Sequence, residues 1–321
     1  MVRRTGTTLL EVLIAIFVTG IGLLALLALF PLGAVNMALA IKEDRCAHSC
    51  ADADAVAHMT IFRDGTGALV DLRHEANIQT AFVGPIFTLP ALSNPYGPSY
   101  PVLADPLGAY SYSAGGGAGE VGAQTATLGI PGVPRINPAF SAALALQFCT
   151  LSDDINFGIP SNGTPVNVVG GTLPGSVQRD DQYTWAYLLR KQYVTANTID
   201  LSIVVFKKRG LQVGTGLQPL DETACKAQYG AYGDRVITLR WDPTSQQKPR
   251  VSKGTWILDS TMQGTPRGYF YRVVNVTDVT DSAGDRMDCE VQTALKATSG
   301  TGIDQAVVME SVAEVFERGT K

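Results

Sequence analysis

Charge is scarce in this chain. Only 17% of its 321 residues are Asp, Glu, Lys or Arg, and none of these lies between Val12 and Ile41. With 25 basic and 29 acidic residues and a net charge of -4, the chain has no electrostatic footprint for nucleic acid, and no such partner is expected. The nearest basic cluster, Lys207-Lys208-Arg209, ends an apolar strand-like run and reads as a hairpin end facing water. Histidine is rarer still. His48, His58 and His74 neighbour no activated serine and form no His-x-x-x-His pair, so the sequence names no catalytic residue and no metal ligand. There is no Gly-rich loop ending in Lys-Ser/Thr. The stretch Gly117-Ala118-Gly119-Glu120-Val121-Gly122 matches the dinucleotide fingerprint by letter, but it opens no helix and no acid follows at ribose distance. No cofactor is expected.

Five cysteines, Cys46, Cys50, Cys149, Cys225 and Cys289, are too scattered for a disulfide scaffold, and their odd number allows two bridges at most. Cys46 and Cys50 lie four apart on an Ala-rich helix face, which suits packing better than a bridge. With His48 between them and His58 beyond they suggest a metal site, but the ligands do not converge. The acidic series Asp278, Asp281, Asp285 and Asp288 lacks calcium-loop spacing and reads as the flank of a hairpin turn.

What the chain does have is a long apolar run with one acid at its start. Residues 12–41 carry only Thr19 and Asn36 as distinctly polar groups, and Glu11 stands immediately before them. About 20 apolar residues span a bilayer core, so the run is long enough to cross one. A carboxylate beside hydrocarbon costs about 2.5–3.5 kcal/mol on insertion scales, which makes it a functional residue awaiting a partner. Arg3 and Arg4 keep the short N-terminal side in the cytoplasm and send the rest outward.

The segment Gly6-Thr7-Thr8-Leu9-Leu10-Glu11, behind a short basic leader, resembles the class III signal of type IV pilins and type II secretion pseudopilins. Thr7 stands where most pilins have Phe. The run Ile21-Gly22-Leu23-Leu24 is similar to a stretch of PilV-type minor pilins. The resemblance implies cleavage after Gly6 by a prepilin peptidase in the bacterial inner membrane, and methylation of the new amine at Thr7. It also implies assembly, with other pilin or pseudopilin subunits, by a platform protein and an ATPase. Glu11 would then be neutralised by the N-terminal amine of a neighbouring subunit, setting axial register in an apolar filament core. A secretory signal has a shorter apolar region, and a plain single-pass anchor leaves Glu11 without a role. The competing function is that of a membrane-anchored extracellular enzyme or ligand-binding module.

The expected fold is α+β. Residues 1–6 form the leader, and 7–64 a helix, with 9–40 as its membrane-spanning or filament-core part. Such a helix is about 85 Å long at 1.5 Å per residue. Pro31 is expected to kink it by removing a donor and crowding the carbonyl of Leu27. Beyond residue 42, Cys46, Cys50, Ala53, Ala57 and Ile61 form a small apolar stripe able to lie on a sheet. Residues 65–321 read as an antiparallel β-rich head with strands over 78–89, 183–190, 198–207, 235–241, 269–276, 287–295 and 307–316. Between 91 and 180 Gly and Pro are frequent, and the stretch reads as a loop-rich insertion with one short helix opening at Asn137-Pro138.

Overall fold

A computed structural model describes residues 9–60, 101–108, 120–121, 132–136, 148–151, 155–156, 167–168, 171–172, 178–179, 183–190, 198–209, 221–241, 248–262, 266–281, 284–296 and 304–321. Two compact units are distinguished, 1–47 and 48–321, and the boundary falls inside the helix α1 (Leu9–Thr60). In the first unit the helix runs through Pro31 without a break. Its side chains are exposed from Leu9 to Ile41 wherever they are described. It is the helix, among the described residues, that is long and apolar enough to cross a membrane.

The second unit contains the rest of α1 and the strands. These are β1 (Val102–Ala104), β2 (Glu120–Val121), β3 (Val133–Ile136), β4 (Ile155–Asn156), β5 (Asn167–Val168), β6 (Gly171–Thr172), β7 (Gln178–Arg179) and β8 (Tyr183–Arg190). They continue as β9 (Asp200–Lys207), β10 (Glu222–Tyr229), β11 (Val236–Arg240), β12 (Trp256–Asp259), β13 (Tyr269–Asp281), β14 (Gly284–Val291), β15 (Asp304–Met309) and β16 (Val312–Thr320). A six-stranded sheet has the order β16-β9-β8-β1-β3-β2, and β10-β11-β14-β13-β12-β15 close into a barrel. The head is therefore a sheet plus a barrel, where the sequence suggested one antiparallel sheet. The sheet is also mixed, because β1 and β3 run parallel.

Strand period explains the layering. Successive side chains on a strand point to opposite faces, and every position of β8 from Tyr183 to Leu189 is buried. Ala186 and Leu188 join Leu103, Val204 and Phe206 against Trp256, Leu258, Val307 and Met309 from the barrel's outer surface. The alternate residues, Trp185, Tyr187 and Leu189, pair across to Val205, Ile203 and Leu201 on the other face. On that face the Tyr187 hydroxyl donates to the Ala53 carbonyl of α1 at 2.8 Å and accepts from Trp185 Nε1 at 3.2 Å. Cys50, Ala53, Val56 and Ala57 are the buried stripe of α1 in this unit. Small side chains there let a helix backbone approach a sheet closely. The barrel has its own core, built around Cys225, Ile237, Leu239, Ile257, Tyr271, Met287 and Val308.

Several strand expectations coincide with the structure and others need correction. The run 183–190 is β8, and 198–207 contains β9. The run 307–316 is two strands in different sheets, β15 in the barrel and β16 beside β9, separated by a turn at Glu310-Ser311. Within 91–180, β1 and β3 lie in the interior of the main sheet, and Val102, Leu103, Ala104 and Val133 are fully buried. Their few residues are too short a sample for a period to emerge among the surrounding Gly and Pro. The run 78–89, the helix expected from Asn137, and His74 lie outside the described residues.

Candidate functional site

Gly6 and Thr7, the expected processing positions, lie outside the described residues. Glu11 is in the first turn of α1, on an exposed stretch, where a carboxylate faces the helix's unsatisfied amides and positive dipole end. About two turns further on, Thr19 Oγ1 donates to the Ala15 carbonyl at 2.7 Å, which hides the hydroxyl within the helix. Pro31 sits in the helix interior.

Where α1 lies on the head, its contacts with the C-terminal strand are ionic. Arg318 Nη2 donates to Asp54 Oδ2 at 2.9 Å, and Lys321 Nζ is 3.5 Å from Asp54 Oδ1 and 3.3 Å from His58 Nε2. The hydrogen bond from Arg318, outweighing partial burial, holds the Asp54 carboxyl below its ordinary value. Register irregularities in β16 at Val312/Glu314 and Glu317/Gly319 turn this strand, and Gly319 has a positive φ of 72°. Lys321 is held by its backbone too, exchanging hydrogen bonds with Ile199 at 2.8 and 3.2 Å.

A second ionic group joins the sheet to the barrel. Asp105 follows β1 and caps a helical turn, accepting from the Gly108 amide at 2.9 Å. It faces Arg209, whose Nη1 and Nη2 donate to its two oxygens at 2.9 and 2.7 Å, and Arg135 Nε at 3.1 Å. Glu222, at the start of β10, takes Arg135 Nη2 at 2.6 Å and Arg209 Nη2 at 3.0 Å. The side chains of Asp105, Arg135 and Arg209 are 0% exposed. Burial opposes ionisation of Asp105, but the two guanidiniums together outweigh it and hold the carboxyl below its usual range. The guanidinium of Arg209 also lies 3.9 Å from the Phe206 ring centroid.

This group corrects the reading of Lys207-Lys208-Arg209 as a water-facing hairpin end. Lys207 and Lys208 are exposed, but Lys208 adopts a φ of 51°, and the chain turns Arg209 inward to the carboxylates. Sequence reasoning missed Asp105, Arg135 and Glu222 altogether. Arg135 is 87 positions from Glu222 and Asp105 is 104 from Arg209, and even the nearer pair, Arg209 and Glu222, lies 13 apart on separate elements, so the fold brings them together. Two acids and two bases compensate one another, and the group contains no nucleophile. Its chemistry is that of a bolt between layers.

The remaining candidates are structural in the same sense. The β13–β14 hairpin pairs as far as Asp281 and Gly284, as the acidic series suggested. Asp278 accepts from Lys248 Nζ at 2.7 Å and Asp288 from Thr238 Oγ1 at 2.8 Å. All five thiols are free and buried. Among the described residues no group of three His, Cys, Asp or Glu is placed to hold a metal. Two residues of the nominal dinucleotide motif, Glu120 and Val121, form β2, paired with β3. A cleft of about 150 Å³ runs between sheet and barrel past Arg190, Asp200, Tyr269 and Glu317. Its charges are already engaged: Arg190 pairs with Asp200 at 2.7 Å and stacks 4.0 Å from the Tyr269 centroid, and Glu317 accepts from Lys296 at 2.8 Å. No protein-family model, curated protein or solved structure matches this chain.

Proposed function

We propose that the chain is a minor pilin or pseudopilin, a structural subunit inserted in a bacterial inner membrane through α1 and then assembled into a type IV pilus or a type II secretion pseudopilus. The observation that carries the reading is Glu11. It stands in the first turn of a helix whose next thirty or so positions are charge-free and, wherever their side chains are described, exposed. A tether has no use for a carboxylate there, whereas a filament of packed helices gains a register pin from it. Among the described residues, the buried charges that join sheet and barrel, Asp105, Arg135, Arg209 and Glu222, pair with one another, as suits a structural subunit.

On this reading the chemistry is done to the chain. A prepilin peptidase cuts after Gly6 and methylates Thr7, and other pilin or pseudopilin subunits, a platform protein and an assembly ATPase are its partners. The test is intact mass and N-terminal sequencing of protein recovered from native membranes and sheared surface fractions. A chain beginning at Thr7, with or without one added methyl, supports the proposal. A mature chain still beginning at Met1 refutes it and leaves a membrane-tethered module.

A further inference from the structure

The barrel core ends in charge. On β12 the inward residues are Ile257 and then Asp259, and on β15 Val308 and Ala306 are followed by Asp304. Both carboxylates are buried at one end of the barrel, and one guanidinium serves them. Arg267 Nη2 is 3.3 Å from Asp304 Oδ1, and Nη1 is 3.7 Å from Asp259 Oδ2, beyond hydrogen-bond distance.

The groups facing Asp259 from the other elements do not make up the difference. From β10, the Tyr229 hydroxyl hydrogen-bonds to the carboxyl and favours its ionised form, but it also lies 3.0 Å from the Gln305 carbonyl, so its single proton is shared between two acceptors. From β13, the Tyr271 hydroxyl accepts from the Lys296 amide at 3.1 Å, while the Lys296 ammonium is engaged outside with Glu317. Of the inward residues of β11 and β14 only Cys289 titrates, and burial pushes its thiol up to about 12. Cys225 on β10 is likewise pushed by burial to about 12. After β12, Thr261 supplies its amide to Asp259 Oδ1 at 3.2 Å, and its hydroxyl accepts from the Gln305 amide at 3.0 Å. The Arg267 amide in turn donates to the Thr261 carbonyl at 2.8 Å.

We propose that Asp259 is a proton-operated lock on this end of the barrel. Neutral, it completes the hydrogen-bonded cap made with Thr261, Tyr229 and Gln305. Ionised, it leaves Asp259, Asp304 and Arg267 with one excess negative charge inside the barrel, and the cap loosens. Burial, opposed by Thr261 and Arg267, pushes the Asp259 carboxyl up to about 6, against an ordinary value of 3.8. The folded barrel therefore keeps a proton that the unfolded chain has already released. Stability from this group is complete below the unfolded value, falls as pH rises through the folded one, and is level above it.

The test is amide exchange on the full chain in detergent micelles at about pH 4.5 and about pH 7, corrected for intrinsic exchange. Protection of the Thr261, Arg267 and Gln305 amides should fall about 30-fold between the two conditions. The Trp185 amide, bonded to the Cys149 carbonyl in the sheet, should hold steady as the internal reference. Asp259→Asn, which mimics the neutral acid, should abolish the pH dependence of the cap. The same loss in Asp259→Asn, or protection that rises with pH in the wild type, overturns the proposal. Should that variant not fold, Asp304→Asn leaves one acid for one base and should move the transition to lower pH. An unmoved transition in Asp304→Asn also overturns it.

Discussion

Arg209 grips Asp105 with both terminal nitrogens, at 2.9 and 2.7 Å, across 104 positions of chain. The same guanidinium reaches Glu222 on the barrel, so one side chain holds the loop after β1, the end of β9 and the start of β10. Buried ion pairs contribute little over a well-packed apolar substitute, but removing one partner strands the other charge. Asp105→Asn should therefore destabilise the head by about 3–5 kcal/mol. Arg318→Ala, at an exposed pair, should cost about 1 kcal/mol or less. Urea unfolding of the two variants in parallel checks the ratio, and equal losses would show that Asp105 is not stranding two buried cations.

The contact of helix on sheet rests on a shorter chain of bonds. Tyr187 accepts from Trp185 Nε1 and donates to the Ala53 carbonyl, all within the buried face. Tyr187→Phe keeps the ring and its area but leaves a buried donor and a buried carbonyl each short of a partner. A loss of about 1–3 kcal/mol is expected. The Ala53 region of α1 should then exchange its amides faster than the barrel does, which hydrogen exchange resolved by region would reveal.

Asp54 sets a pH dependence of opposite sign to that of Asp259. Its carboxyl is held below 3.8 by Arg318, so it contributes stability that is fully present above the unfolded value and is lost as pH falls through the folded one. Acid titration of the full chain should thus release the C-terminal strand from α1 below about pH 4. Asp54→Asn should be weaker at neutral pH and should lack that acid-side loss. Fluorescence from a probe on the C-terminal Lys321 region, followed from neutral to acid, separates the two.

Much of the head was legible because its central strands are long. The run 183–190 coincides with β8, since Trp185 and Tyr187 at one parity and Ala186 and Leu188 at the other mark a strand buried on two faces. β10 escaped notice because Glu222–Tyr229 shows weak alternation, with Cys225 and Tyr229 as its fully buried residues. β12, at four residues buried throughout, has no period to detect. The closure of the barrel depends on β10 meeting β15 across some eighty residues, and nothing local encodes that pairing. The buried charges were illegible for the same reason. Lys207-Lys208-Arg209 looked like one solvated cluster until the positive φ of Lys208 divided it.

Glu11 can be tested apart from the head. Insertion favours an apolar residue at this depth, so Glu11→Val should enter the membrane at least as well as the wild type, with the head exported and folded. Assembly should fail, because a valine offers nothing to a neighbouring subunit's amine. Glu11→Gln is the sharper probe: it keeps size and hydrogen bonding but removes the charge that an amine would neutralise. Co-expression with the wild type makes the readout direct. Incorporation of each variant into sheared filaments or cross-linked pseudopili should fall at least tenfold, roughly the loss of one ion pair worth about 1.4 kcal/mol or more, while membrane levels stay equal. Equal incorporation of Glu11→Val would remove the role assigned to this carboxylate, and with it the main argument for a filament subunit over a tethered domain.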